Sequence, residues 1–383
     1  MDQDCLDLLP TEYKKYVPPK FKGKPINVTY SMVIYDLDEI NEATMDFRLH
    51  GYLRTDWLDE RLIINTSIIN NRCADYLWVP DVIFEQAKVT QTFGRQNTLL
   101  TIEESKRLRS AERYAFKVSC MMHFEDYPFD TQRCSFSIVL MSTSDKAVKL
   151  RWDDGTAYPS VMFVRKMEPL QFQLGELKTY EITNGYNGAN FTYLYLNITL
   201  IRRLTGSIVN IFAPSTLIVV VSWVTFWLSL EAVPARVALS ITSLLTLCTQ
   251  AQQNKSQLPP LNYITAVDIW LFACIFMVFS TLVEFAVAYN VIMKKKSKTS
   301  VQPSCMQCGR KIQWIIKKHM ACSTPEVKPQ AVSSQKNIIF SWISKLDEVG
   351  LDNICRKMFP LLFLLFATVY WVHYLKIYHQ SLH

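Results

Sequence analysis

The chain has 383 residues, a formal net charge of +7, 10 cysteines and 49% hydrophobic residues. That is more than one ordinary soluble domain. The surplus charge sits in one basic segment with no base-stacking fold beside it, which excludes a nucleic-acid partner, and no nucleophile–base arrangement, phosphate loop or HExxH motif supports an enzyme or a cofactor.

Residues 1–20 read as a short helix or irregular lead-in, and the stretch up to about 203 reads as β. "INVTYSMVIYDL", "MDFRLHGYLRTDW", "YAFKVSC" and "NFTYLYLNITLIRR" alternate with period two and are rich in β-branched and aromatic residues. Asp154-Gly155 and Asn187-Gly188 supply turn chemistry. Strands at this spacing predict a sandwich. The same region carries four glycosylation sequons, at Asn27, Asn65, Asn190 and Asn197. They point to an extracellular segment. Such a segment needs a signal peptide; "MDQDCLDLLP" is acidic and lacks an apolar core, so the leader is expected to have been cleaved or left out.

Cys120 and Cys134 enclose "MMHFEDYPFDTQR". In an oxidising compartment a disulfide between them is the default, and a loop of this size stabilises by about 3 kcal/mol on the chain-entropy model. The tip, Tyr127-Pro128-Phe129, is aromatic for a solvent loop: it either packs on itself or touches the membrane part. Cys5 and Cys73 lie in the same region, and the sequence does not choose between a pair, other partners and free thiols.

Four nearly charge-free runs follow: Ser207–Leu230, Val237–Asn254, Ile269–Val283 and Met358–Leu375. A bilayer core of about 30 Å needs about 20 helical residues, so a four-helix transmembrane bundle is expected. In the second run Ala238, Thr242, Leu245, Thr249 and Gln252 recur at steps of four and three, a small and polar helical face interrupted by Leu245. Taken alone, this stripe fits interhelical glue as well as a pore lining. Arg236 opens the helix, and snorkelling to the interface is its plainest reading.

Residues 294–338 form a basic loop in which ten Lys and Arg between Val291 and Phe340 face only Glu326. Basic loops stay cytoplasmic, which puts both termini outside. Cys305, Cys308, His319 and Cys322 have metal-like spacing, yet ordinary thiols explain it and no metal is assigned. Ile338, Ile339, Trp342, Ile343 and Leu346 set an amphipathic pattern leading into the last run. The expected domains are 1–204, a β-sandwich; 205–293, three membrane helices; 294–338, the cytoplasmic loop; and 339–383, a pre-helix, the fourth membrane helix and an extracellular end.

The Cys120–Cys134 spacing with its aromatic-Pro-x-Asp core, together with "FKGKPINVTY", "TMDFRLHGYLRTDWLDERL", "LWVPD", "PARVALSITSLLTLCTQ" and "YITAVDIW", resembles the Cys-loop pentameric ligand-gated ion channels, in their glycine- and GABA-receptor branch. His123-Phe124 departs from the usual Asp-Leu. The resemblance covers nearly the whole chain. It implies a homo- or hetero-pentamer in the plasma membrane, opened by an extracellular amino-acid or amine agonist and passing chloride. The second helix then lines the pore, with Leu245 as hydrophobic gate and Pro234, Ala235 and Arg236 as the selectivity segment. Five guanidiniums would converge there, each pair repelling by about 1 kcal/mol at 4 Å in water and less beyond.

The resemblance further implies an agonist pocket between subunits. One side would carry Tyr52, Arg54 and Arg113; the other Phe84, Glu85, Met141, Tyr186 and Phe191, with the family's aromatic absent near Met141. Coupling would run through Pro128, Phe129 and Asp130 against Pro259, with Arg202 pairing nearby acids. Two other readings stay open: a non-conducting ligand-binding or assembly subunit, and a cation-selective member of the family.

Overall fold

A computed structural model describes residues 3–20, 22–155, 159–164, 169–229, 231–299 and 348–382. The chain divides into two compact units: Met1–Ala213 with Ala251–Trp270 and Tyr370–His383, and Pro214–Gln250 with Leu271–Val369. A short helix α1 (Gln3–Leu6) opens the first unit. Among the described residues twelve strands follow: β1 (Ile26–Asn41), β2 (Asp46–Leu58), β3 (Ile68–Ile69), β4 (Val82–Phe84), β5 (Ala87–Thr92), β6 (Thr98–Ile102), β7 (Arg107–Ser119), β8 (Thr131–Leu140), β9 (Val148–Trp152), β10 (Val161–Phe163), β11 (Phe172–Tyr186) and β12 (Ala189–Arg202).

Eight strands form one sheet, with β10-β1-β2-β7-β6-β3 as its path and β5 and β9 attached; β11-β12-β8-β4 form the other. Alternation explains the pairing of layers. Ile26, Val28, Tyr30, Met32 and Ile34 of β1 are buried at every second position, as are Leu194, Leu196, Ile198 and Leu200 of β12. The sheets meet through Phe84, Phe116 and Phe136, whose ring centroids lie 4.7–5.6 Å apart. Gly51 of β2 is required by close approach, since a Cβ there would stand 3.0 Å from the Val33 carbonyl oxygen. The β11–β12 hairpin turns on Asn187-Gly188, both at positive φ, with Tyr186 opposite Ala189. That is the two-residue turn whose twist matches the strands. Two disulfides close the unit's loops, Cys120–Cys134 and Cys5–Cys73.

The helical part begins with α2 (Leu204–Ser207), a π turn at Ile208–Phe212, α3 (Ala213–Trp223) and a 3₁₀ turn at Val224–Trp227. The π turn has a local cause. Pro214 has no N–H for the carbonyl four residues back, and its ring crowds it; the Ala213 N–H instead reaches the Ile208 carbonyl, five residues away. The described residues also form α4 (Val233–Ser256), α5 (Ala266–Thr299) and α6 (Glu348–Leu382). Thr265 and Asp268 cap α5 reciprocally: the Asp268 N–H donates to Thr265 Oγ1 and the Thr265 N–H to Asp268 Oδ2, both at 3.2 Å.

Among the described residues, three stretches are long and apolar enough to cross a membrane: Leu204–Trp227, Ala266–Val291 and Asp352–Gln380. The expected fourth, α4, is present as a helix but is not among them, because Ser, Thr and Gln occupy much of its length. The loop expected from residue 294 starts later, since α5 runs to Thr299; lysine is a good helix former and nothing breaks the turn there. The remainder of that loop, Cys305, Cys308, His319 and Cys322, and Trp342, Ile343 and Leu346 lie outside the described residues.

Candidate functional site

On the eight-stranded sheet, Tyr52 of β2 stands directly across from Arg113 of β7, and Arg54 follows two residues on, along the same face. Tyr52 and Arg54 are exposed and Arg113 is half-buried. A bulge between Ile34 and Asp36 leaves Tyr35 without a partner on β2. Such an extra residue re-aims its side chain. Arg113 Nε donates to Tyr35 Oη at 2.6 Å, and its guanidinium lies 5.0 Å from the Tyr35 ring and 4.5 Å from the Phe93 ring. The Tyr52 ring is 5.9 Å from Tyr35. A cation held between two aromatic faces is attracted by both quadrupoles. Tyr35 and Phe93 escaped the sequence reading; a bulge leaves no mark in the period-two pattern.

The second group stands on the four-stranded sheet. Glu85, Met141 and Tyr186 are exposed, and Phe191 is half-buried opposite Asn184. Glu85 accepts a hydrogen bond from Ser137 Oγ at 3.1 Å. Phe84 is different: it packs inward on Tyr114, Phe116 and Phe136. It is half-buried, on the side of β4 opposite the exposed Ile83 and Glu85. Three tyrosines missed by the reading line the neighbouring strands: Tyr180 stacks on Tyr195 at 5.0 Å, and Tyr193 on Tyr195 at 6.1 Å. For Tyr193 and Tyr195 the signal was the i, i+2 pair in "TYLYL". The two groups stand on different sheets, so a single chain does not bring them together.

At the base of the sandwich the Cys120–Cys134 loop is tucked in rather than solvated. Tyr127 and Phe129 are buried. Phe129 stacks on Tyr374 at 5.3 Å and meets Phe212, Tyr370 and Trp371 at 5.7–6.2 Å. The loop also carries backbone bonds: the Ala266 N–H donates to the Glu125 carbonyl at 3.0 Å and the Val267 N–H to the Tyr127 carbonyl at 3.1 Å. Tyr263 Oη accepts from the Phe124 N–H at 3.0 Å. Pro259 lines a cavity of about 210 Å³ with Tyr127, Lys255 and Asp268.

Arg202 anchors this cluster. Its Nε and Nη2 donate to Asp130 at 2.6 and 3.0 Å, and Nη1 pairs with Glu42. Tyr127 and Phe172 lie 4.6 Å from the guanidinium on either side. Burial opposes the charge, yet Asp130 and Glu42 outweigh it and hold Arg202 above its ordinary range. Burial, with Glu125 and Asp130 nearby, pushes the Asp126 carboxyl up.

On α4, Ala238, Thr242, Leu245, Thr249 and Gln252 are all exposed, Leu245 at 63%. Pro234 and Ala235 are exposed at the start of the helix. Arg236 does not continue that face. It is buried with Ser240, Ser243 and Leu247. Residues two apart on a helix point about 200° apart at 3.6 residues per turn, so Arg236 faces away from Ala238. Its Nη2 donates to Asp352 Oδ2 at 2.8 Å, and Nε donates to the Leu228 carbonyl at 3.1 Å. The free cationic collar expected from the sequence is thus corrected to a buried, ion-paired guanidinium.

Of the four sequons, Asn27, Asn65 and Asn190 are exposed. Asn197 is half-buried in β12, with its Oδ1 shielded from solvent.

Two family models match the chain: the neurotransmitter-gated ion-channel ligand binding domain over residues 2–204, and the neurotransmitter-gated ion-channel transmembrane region over residues 211–347. The chain belongs to the neurotransmitter-gated ion-channel family, which consists of channels and not enzymes. It is therefore a membrane protein with a ligand-gated channel architecture, a β-rich ligand-binding domain followed by a helical transmembrane region.

Proposed function

We propose that five copies of this chain, alone or with related subunits, form an anion channel of the plasma membrane with both chain ends outside. An extracellular amino-acid or amine agonist binds between subunits, with Tyr52, Arg54 and Arg113 on one side and Glu85, Met141, Tyr186 and Phe191 on the other. Tyr35 and Phe93 hold Arg113 on the first side, and the half-buried Phe84 adjoins the second. The agonist opens the channel by binding the open arrangement more tightly than the closed one. Pro128, Phe129, Asp130, Arg202 and Pro259 transmit the change, and Leu245 gates the pore by dewetting.

The observation that carries this reading is the exposed face of α4. It bears Ala238, Thr242, Leu245, Thr249 and Gln252 and no carboxylate. The first turn holds no acidic residue. A helix N-terminus carries about half a positive elementary charge, so five such ends at Pro234 and Ala235 favour anions. One observation favours the cation-selective alternative: Asp352 offsets the charge of Arg236. Recording the expressed chain against amino acids, amines, protons and zinc, with chloride and sodium replaced in turn, decides between them. A reversal potential that follows chloride supports the proposal; one that follows sodium overturns it.

A further inference from the structure

The last helix is laced to the entry turn of α4. Arg236 is 1% exposed, and its guanidinium faces Asp352 of α6 at 2.8 Å (Nη2–Oδ2) and 3.4 Å (Nη1–Oδ1). Nε and Nη2 both donate to the Leu228 carbonyl. One turn further along α6, Arg356 donates from Nε and Nη2 to the Phe226 carbonyl at 3.0 and 2.7 Å. Phe285 of α5 covers the Arg236 guanidinium, its ring centroid 5.9 Å away. Glu284, beside it on α5, stands within charge range of both Arg236 and Asp352. One buried cation therefore pairs with Asp352 while a second carboxyl group stands nearby. A buried guanidinium without a partner would be costly, so the pair is a condition for Arg236 to sit where it does.

We propose that Asp352 positions and neutralises Arg236: it cancels the charge of the guanidinium and holds it off the conducting face. On the anion-channel reading above, chloride preference then does not depend on the Arg236 charge. Asp352 acts through Arg236 and is a positioning residue.

The double variant Arg236→Gln/Asp352→Asn tests this, since removing both members of a buried pair is tolerated far better than removing one. Wild type and variant are recorded in the same chloride- and sodium-substituted solutions. The proposal expects the chloride-to-sodium permeability ratio to stay within about twofold of wild type. A reversal potential displaced from chloride toward sodium overturns it. The single variant Asp352→Asn, which removes the neutralising carboxylate and restores the Arg236 charge, should raise unitary chloride conductance at negative potentials by about twofold or more, as a ring of fixed charge would. Unchanged unitary conductance in that variant also overturns the proposal, because a residue needed only for folding would alter the number of channels and not their conductance. Co-expression with wild-type subunits carries poorly assembling variants to the surface in mixed channels, where the same outcomes are read. A wild type that itself follows sodium refutes the anion reading instead, a result separate from any difference between variant and wild type.

Discussion

Replacing Arg202 by alanine is the sharpest perturbation of the sandwich base. The change leaves Asp130, 4% exposed, and Glu42 beside it without their cation. Breaking a buried ion pair by removing one partner costs about 3–5 kcal/mol. For a domain of roughly 200 residues each kcal/mol lowers the melting midpoint by about 2–4 °C, so the expected drop is about 6–20 °C. The triple variant Arg202→Met/Asp130→Asn/Glu42→Gln removes the charges together and should recover most of that loss. Thermal melting of the solubilised full chain, followed by size-exclusion chromatography, measures both. A single variant that melts within about 2 °C of wild type would refute the reasoning; so would a triple variant no more stable than the single one.

Leu245→Ser should raise current in the absence of agonist; burying a leucine fully is worth about 1.5–3 kcal/mol, so losing even part of that in each of five subunits favours the open state strongly. Unchanged leak in channels counted at the surface would remove Leu245 from the gate. Arg113→Ala should raise the agonist concentration for half-activation at least about tenfold, because a charge-assisted contact of about 1.5 kcal/mol or more is lost; Tyr35→Phe should shift it the same way by less, and an unmoved dose–response curve in both would exclude this face. Burial raises the Asp46 carboxyl, but bonds to Lys88 and Thr44 and the charges of Lys88 and Lys117 outweigh it and hold the group below its usual range. A depressed acid contributes stability above its unfolded pKa and loses it as pH falls through the folded one. Acid melts should therefore show wild type losing its advantage over Asp46→Asn only below about pH 4; an advantage that persists below both values would contradict the pairing.

Much of the fold was legible because its elements follow one period. Ile26 to Ile34 and Leu194 to Leu200 alternate, and alternation alone assigns them to a sandwich face. The exposed stripe of α4 was legible for the same reason, through steps of four and three. What was hidden depends on partners distant in sequence or on breaks in the period. Arg236 meets Asp352 across 116 residues, which no local pattern encodes. Tyr35 sits in a bulge without a partner on β2, so the pairing that brings it to Arg113 leaves no trace in the local pattern. Phe84 is read as a pocket aromatic from the resemblance of its segment, and its packing on Phe116 and Phe136 comes from strands distant in sequence. The Cys5–Cys73 pair closes over 68 residues, and composition cannot select it among the possible pairings.

The most direct test of the account is the reversal potential of agonist-evoked current in cells expressing only this chain, measured while external chloride is exchanged for a large impermeant anion at constant sodium. The account predicts that the reversal potential moves with the chloride gradient. A reversal potential that stays put on that exchange, and moves when sodium is replaced instead, would contradict it.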